Sequence, residues 1–293
     1  METLPNIHDE KPDIPIPINK VGFKDVWLPI LKTTTNNGEL ILSPRFTVLV
    51  DLNQDRRGIH VSRIYEVVSN VVEEVREKNV KLDDVCREIA KRILSSHQSS
   101  SRVYIEVKSP TFYKTTSPIT KLTSYEKFDL YVKIEAWKND LGELEFSKTI
   151  GVEVKGLNTC PCAREVVKTV YKPLDTTHMQ RVKVKFIIEI PENCQIDFID
   201  ILEIVKSSFS SPIYSLLKKI DEAKVIIEAL NSPKFIEDIL REILKKVIEK
   251  WSNLSYNSKI YIEVESEESM HPYNLVASTK IDVGSVKRLL GRS

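Results

Sequence analysis

The residues best equipped for chemistry fall in GLNTCPCAREVVKTVYKPLDTTHMQR, residues 156–181. Cys160 and Cys162 stand two residues apart, and His178 follows the second cysteine by sixteen. Thiolate sulfur and imidazole nitrogen suit zinc or ferrous iron, and the residues between them can fold back to close one site. Two donors do not fill a coordination sphere. The only later histidine is His271, in ESEESMHPYN, and carboxylates between His178 and that segment can complete a Cys/His/His/Glu set. An oxygen donor in such a set points to a reactive metal more than to a closed, cysteine-rich structural zinc.

The chain around these residues has the composition of an ordinary folded protein. Its 293 residues are 41% hydrophobic and 29% charged, enough for two domains with real cores or one large one. Forty-three basic residues against 42 acidic ones give no global reason to expect nucleic-acid binding. No apolar run approaches the length of a membrane span, and the first twenty residues carry neither a signal-peptide core nor an import-peptide composition. Cys86, Cys160, Cys162 and Cys194 are few and irregularly spaced, unlike an extracellular disulfide framework. A cytoplasmic enzyme or scaffold, with no membrane or nucleic-acid partner, is the expectation.

The elements that must position the site alternate between strand and helix patterns. Residues 1–20 read as an arm, because Pro12, Pro15 and Pro17 favour extended backbone. A strand over Phe23–Leu31, the polar turn TTTNNGE and a strand over Leu40–Leu52 make an apparent hairpin. Helices follow over Val61–Arg76 and Leu82–Ser95, then strands over Arg102–Lys108, Lys127–Trp137 and Glu143–Val154. The second half repeats that order. Arg181–Ile190 is a strand, Phe198–Ser208 a short helix, and Pro233 is placed to open a long amphipathic helix running to Trp251. KIYIEVE at Lys259–Glu265 then echoes RVYIEVK of the first half, before a closing strand over Asn274–Val283. Equivalent order plus that echo suggests a duplicated unit, with modules over 21–156 and 157–293. The expected class is α+β, with antiparallel sheets covered by helix pairs on one face. The other sheet face and the open edges then call for association of the halves or of subunits.

TCPCA at Thr159–Ala163, RGIHVSR at Arg57–Arg63, TTHMQR at Thr176–Arg181, LLKKIDEAKV at Leu216–Val225, SPKFIEDILRE at Ser232–Glu242 and ESMHPYN at Glu268–Asn274 form an ordered set. The set resembles the motifs of the metal-dependent GTP cyclohydrolases outside the type I A class, and the archaeal type IV branch is the nearer resemblance. The resemblance covers nearly everything after the arm. It implies the tunnelling fold with two related modules per chain, and a homodimer or higher homo-oligomer with sites near module or subunit junctions. It also implies opening of the guanine imidazole ring of GTP with release of formate. For the archaeal branch it implies a 7,8-dihydroneopterin 2′,3′-cyclic phosphate product of methanopterin-type pterin biosynthesis, with phosphate and pyrophosphate, and an Fe²⁺ cofactor. Bacterial relatives carry CPCS, a shorter connection to HNQR, and commonly a second histidine where this chain has Tyr273.

Carried onto this sequence, the resemblance implies a metal held by Cys160, His178, Glu222 and His271, with Zn²⁺ as a structural surrogate or alternative. Cys162 stands beside the metal, and a reversed assignment of the two cysteines stays open. Glu237 is the guanine anchor, since a carboxylate can accept from both ring N1–H and the exocyclic amine. Glu268, three residues before His271, orients water or moves protons. Arg56, Arg57, His60 and Arg63 make a compact basic group near a helix start; Arg57, His60 and Arg63, with Arg181, are assigned to the substrate, although such groups also serve as surface salt bridges. Two other readings remain: a GTP cyclohydrolase that keeps the triphosphate, and a noncatalytic metal-stabilised nucleotide-binding or dimerisation module. Cys86 and Cys194 are read as core or incidental, His8 as arm surface and His97 as a helix-end residue.

Overall fold

The computed structural model describes residues 6–36, 38–97 and 99–291. After a short 3-10 turn over Ile7–Asp9 come strands β1 (Ile18–Trp27), β2 (Leu31–Thr35), β3 (Gly38–Leu42) and β4 (Arg45–Leu52), then helices α1 (Val61–Val75) and α2 (Leu82–Ser96). Three long strands follow, β5 (Arg102–Thr116), β6 (Thr123–Lys138) and β7 (Leu144–Thr159). The rest comprises α3 (Pro161–Val170), β8 (Met179–Ile190), α4 (Phe198–Lys206), β9 (Ser211–Pro212), α5 (Lys219–Asn231), α6 (Ile236–Lys250), β10 (Lys259–Glu267), β11 (Leu275–Asp282) and α7 (Val283–Leu289).

Two compact units result. One takes the chain up to Pro110 together with Tyr131–Thr149, the other Thr111–Leu130 together with Ile150 onward, so the chain passes between units within β5, β6 and β7. In the first unit β1 pairs antiparallel with β4, from Ile18 opposite Leu52 to Trp27 opposite Arg45, and β4 pairs antiparallel with β5. Alternate residues of β4 and β5 (Phe46, Val48, Val50; Val103, Ile105, Val107) are buried together with the apolar stripes of α1 and α2. Period-2 strands and 3.6-period helices bury one face each, the arrangement that a layered α+β core requires.

The single strand expected over Leu40–Leu52 is two strands. It breaks at Ser43 and Pro44, where proline supplies no amide for a ladder, and β3 instead closes a separate hairpin with β2. That hairpin absorbs most of the segment expected as a polar turn. The strand expected over Phe23–Leu31 starts earlier, at Ile18, and ends at Trp27. Thr33 of the hairpin accepts the Leu82 amide at 3.0 Å, giving α2 a partner for one of the unpaired donors of its first turn.

In the second unit β8 runs antiparallel to β10, with Lys259 opposite Glu189 and Glu267 opposite Arg181, and β10 is antiparallel to β11. Val182, Val184, Phe186 and Ile188 of β8 and Ile260, Ile262 and Val264 of β10 are fully buried. Ile239, Ile243 and Val247 of α6 are likewise fully buried, and α6 packs on β10, β11, α4 and α7. The long helix begins at Ile236, three residues after Pro233, because Asp238 accepts the Phe235 amide and closes the first turn there. The register of β8 on β10 matters most for the site, since it sets the start of one strand beside the end of the other.

Candidate active site

Each end of the Cys160–His178 segment is pinned. Gly156 of β7 lies so close to Phe209 that a Cβ would stand 2.1 Å from the ring, so this approach needs glycine. Thr159, fully buried, donates through its hydroxyl to the Ala229 carbonyl of α5 at 2.8 Å, and its own carbonyl accepts the Lys234 amide at 3.0 Å. The residue before Cys160 is thus tied both to the end of α5 and to the approach to α6. Cys160 then caps α3, its sulfur accepting the Ala163 amide at 3.4 Å, with Pro161 in the first turn where its missing amide costs nothing. The sulfur is thereby held at the N-terminus of α3.

After α3 the chain folds back. Arg164 grips Asp175 with two parallel bonds of 2.5 and 2.8 Å, and this guanidinium holds the Asp175 carboxyl below the usual carboxylate range. Thr177 donates to the Cys160 carbonyl at 2.8 Å, and the Cys160 amide donates to the His178 carbonyl at 3.4 Å. The two donors separated by the α3 excursion are therefore neighbours. From His178 a chain of bonds continues inward: its Nδ1 is 2.8 Å from Gln180 Oε1, Gln180 Nε2 donates to Glu268 Oε1 at 3.3 Å, and Ser266 donates to the same oxygen at 2.7 Å. Cys160, His178 and Glu268 form one connected group.

The other expected residues are placed differently. His271 is exposed in the loop joining β10 to β11, its ring stacked on Tyr273 with centroids 5.1 Å apart. Glu222 is exposed on α5, and Glu237 is exposed in the first turn of α6. Cys162 and Arg181 are also exposed. Among the described residues, no group of three or more His, Cys, Asp or Glu side chains is placed to hold a metal ion. By donor chemistry Cys160 and His178 suit a borderline divalent metal.

The basic group of the first unit is engaged by the arm. Arg56 pairs with Asp9, Arg57 pairs with Glu10 at 3.2 Å, and His60 Nε2 lies 3.6 Å from Asp9. His8, exposed as expected of arm surface, also packs against His60, the rings tilted at 44° with centroids 4.8 Å apart, and its carbonyl accepts the Gly58 amide at 3.2 Å. Arg63 is exposed on α1. His97 is the residue after α2, as expected, and is buried.

Asp221, beside Glu222, escaped the sequence reading. Its buried carboxylate accepts the amides of Ile119, Thr120 and Lys218 and the Thr120 hydroxyl, at 2.6 to 3.0 Å. Burial alone would push this carboxyl up; the four donors outweigh that and hold it well below the usual range. A depressed carboxyl contributes stability above its unfolded value and loses it as pH falls through the folded value. Asp221→Asn is therefore expected to lower the denaturant midpoint at neutral pH, with the gap from the parent narrowing below the ordinary Asp value of about 3.9. Urea titrations at a series of pH values check this. The available signal was the placement of Asp221 three residues after Lys218, an acidic residue in a first turn.

Comparison with known proteins agrees with the ordered motifs. Residues 4–277 match the family model described as "GCHY-1: Type I GTP cyclohydrolase folE2". The GTP cyclohydrolase MptA of Methanobrevibacter smithii is 33% identical, with 98% of each chain covered. That of Methanocaldococcus jannaschii is 31% identical, with 97% of each chain covered. Among solved structures, urate oxidase from Bacillus sp. TB-90 matches with a TM-score of 0.57 at 10% identity, covering 90% of this chain and all of that one. A uricase from Bacillus fastidious gives 0.58 at 12% identity, covering 94% and 96%. At such identity these two establish the shared α+β fold of antiparallel sheet and helices and nothing about activity. Matched across nearly its whole length by a family model and by archaeal relatives, the chain belongs to the GTP cyclohydrolases, on the archaeal MptA side related to type I B.

Proposed function

We propose that this protein is a metal-dependent GTP cyclohydrolase of pterin biosynthesis that opens the guanine imidazole ring of GTP and releases C8 as formate. The observation that carries the reading is the connected group of Cys160, His178 and Glu268 in a chain of this family. Cys160 and His178 hold the metal, with Glu222 and His271 as its further ligands; Fe²⁺ is the working ion and Zn²⁺ the alternative. When bound, such an ion supplies Lewis acidity and a hydroxide at neutral pH. Glu237 receives the N1–H and amine of guanine, and its exposure in the first turn of α6 leaves it open to the base. Glu268 accepts and returns protons as the ring opens. Cys162 lies beside the metal, and Arg57, His60, Arg63 and Arg181 contact the triphosphate, the arm acids Asp9 and Glu10 giving way to it.

The two modules over 21–156 and 157–293 are read as tunnelling-fold repeats, and the working form as a homodimer or higher homo-oligomer. Ile220, Ile226 and Ile227, each about half exposed on α5, support association. The proposed product is 7,8-dihydroneopterin 2′,3′-cyclic phosphate. Three phosphorus atoms enter and one stays in the cyclic ester. Two therefore leave, as pyrophosphate or its two hydrolysed phosphates, and the expectation of phosphate and pyrophosphate together from one GTP does not balance. Phosphorus NMR of the anaerobic reaction tests this: a cyclic ester with pyrophosphate is expected, whereas a retained triphosphate on the pterin would overturn the product assignment. Binding of metal and GTP without formate would overturn the enzymatic reading itself.

A further inference from the structure

The side chain between His178 and Glu268 belongs to neither the metal donors nor the substrate contacts assigned above. Gln180 is buried, 6% exposed, at the start of β8. The antiparallel ladder ends with Arg181 opposite Glu267, and Glu268 is the first residue beyond β10, so Gln180 of β8 lies alongside it. Its two amide atoms face chemically different partners. An ionised carboxylate only accepts, so the NH₂ group must be the atom turned to Glu268, where the separation is 3.3 Å. The carbonyl oxygen then faces His178 Nδ1 at 2.8 Å, and a carbonyl only accepts, so Nδ1 must carry the proton. In the neutral imidazole, Nε2 is left with its lone pair. Ser269, whose hydroxyl lies 3.4 Å from the same Nδ1, can accept from it or rotate away without conflict.

We infer that Gln180 is a positioning residue that fixes the Nδ1–H tautomer of His178, presenting Nε2 as the donor, and at the same time orients Glu268 through its amide NH₂. One side chain thereby couples a metal donor to the proton-transferring carboxylate. Both bonds to Glu268, from Gln180 and from Ser266, end on Oε1, so they set the carboxylate plane from one side. Such partners of a ligating histidine raise its basicity and hold the ring, and their loss costs about 10–100-fold in metal affinity. This inference deepens the proposed metal reading and rests on it for the role of Nε2. The tautomer itself does not depend on that reading.

The experiment uses the demetallated full chain with ¹⁵N-labelled histidine. Long-range ¹H–¹⁵N spectra assign the tautomer of each imidazole, and Zn²⁺ competition titrations give the metal Kd. His178 is expected as Nδ1–H in the parent, and as Nε2–H or a mixture in Gln180→Leu, with Zn²⁺ Kd weakened about 10–100-fold. Gln180→Glu keeps an acceptor for Nδ1–H and is expected to restore the tautomer and most of the affinity. An Nε2–H tautomer in the parent would overturn the inference, as would an unchanged tautomer and Kd in a folded Gln180→Leu. If the leucine variant does not fold, the parent tautomer and Gln180→Glu decide: loss of the Nδ1–H form in the glutamate variant overturns it. A parent that binds no Zn²⁺ through His178 but shows the Nδ1–H form refutes the metal reading and leaves the positioning role of Gln180 standing.

Discussion

Cys160→Ala and His271→Ala should each lose most metal occupancy and reduce formate release from GTP by more than about 100-fold. Removing a thiolate leaves the ion without its most strongly bonding donor, one whose sulfur is held in place by the Ala163 amide. His271 makes the sharper test, since it is exposed in the loop joining β10 to β11 and, among the described residues, is not grouped with Cys160 and His178 to hold a metal. A ligand role for it requires the loop or a second copy of the chain to bring it in. Metal stoichiometry by elemental analysis, measured beside formate release, checks both variants. Full iron occupancy in both would contradict the ligand assignment.

Glu237→Ala should spare the metal while lowering kcat/KM for GTP by roughly 10²–10⁴-fold. The estimate corresponds to two hydrogen bonds to a charged acceptor, each worth about 1.5–3 kcal/mol. Discrimination against ATP should fall with it, because adenine lacks the paired N1–H and amine that a carboxylate recognises. Glu237→Gln retains one acceptor and should fall between. The check is kcat/KM for GTP and ATP on metal-loaded variants; an unchanged ratio and unchanged turnover would remove Glu237 from guanine recognition.

What was legible in the chain followed local periodicity. The alternation in RVKVKFIIEI gave β8 within two residues, and the stripes beginning at Val61 and Leu82 gave α1 and α2 with ends within a residue. Helix α3 was missed because its cap is a cysteine, outside the usual Ser, Thr, Asp and Asn, and because Cys-Pro-Cys reads as a turn. Helix α5 was missed for another reason: Ile220, Ile226 and Ile227 are exposed, so its apolar residues form no single buried stripe. Within the site, the types and order of Cys160, His178 and Glu268 were readable in sequence. Their connection was not, because Gln180 meets Glu268 only where β8 runs alongside the end of β10, a side-chain contact between residues 88 positions apart. The engagement of Arg56, Arg57 and His60 by Asp9 and Glu10 was hidden likewise, since proline-rich composition says that an arm is extended but not where it lies.

The most direct test of metal-dependent ring opening is formate release from GTP by demetallated protein, assayed anaerobically before and after reconstitution with Fe²⁺ and, separately, with Zn²⁺. Formate should be absent from the demetallated protein, return with Fe²⁺, and return to a smaller extent with Zn²⁺. Formate release by the demetallated protein equal to that of the reconstituted one would contradict metal dependence, and activity with Zn²⁺ alone would contradict Fe²⁺ as the working ion.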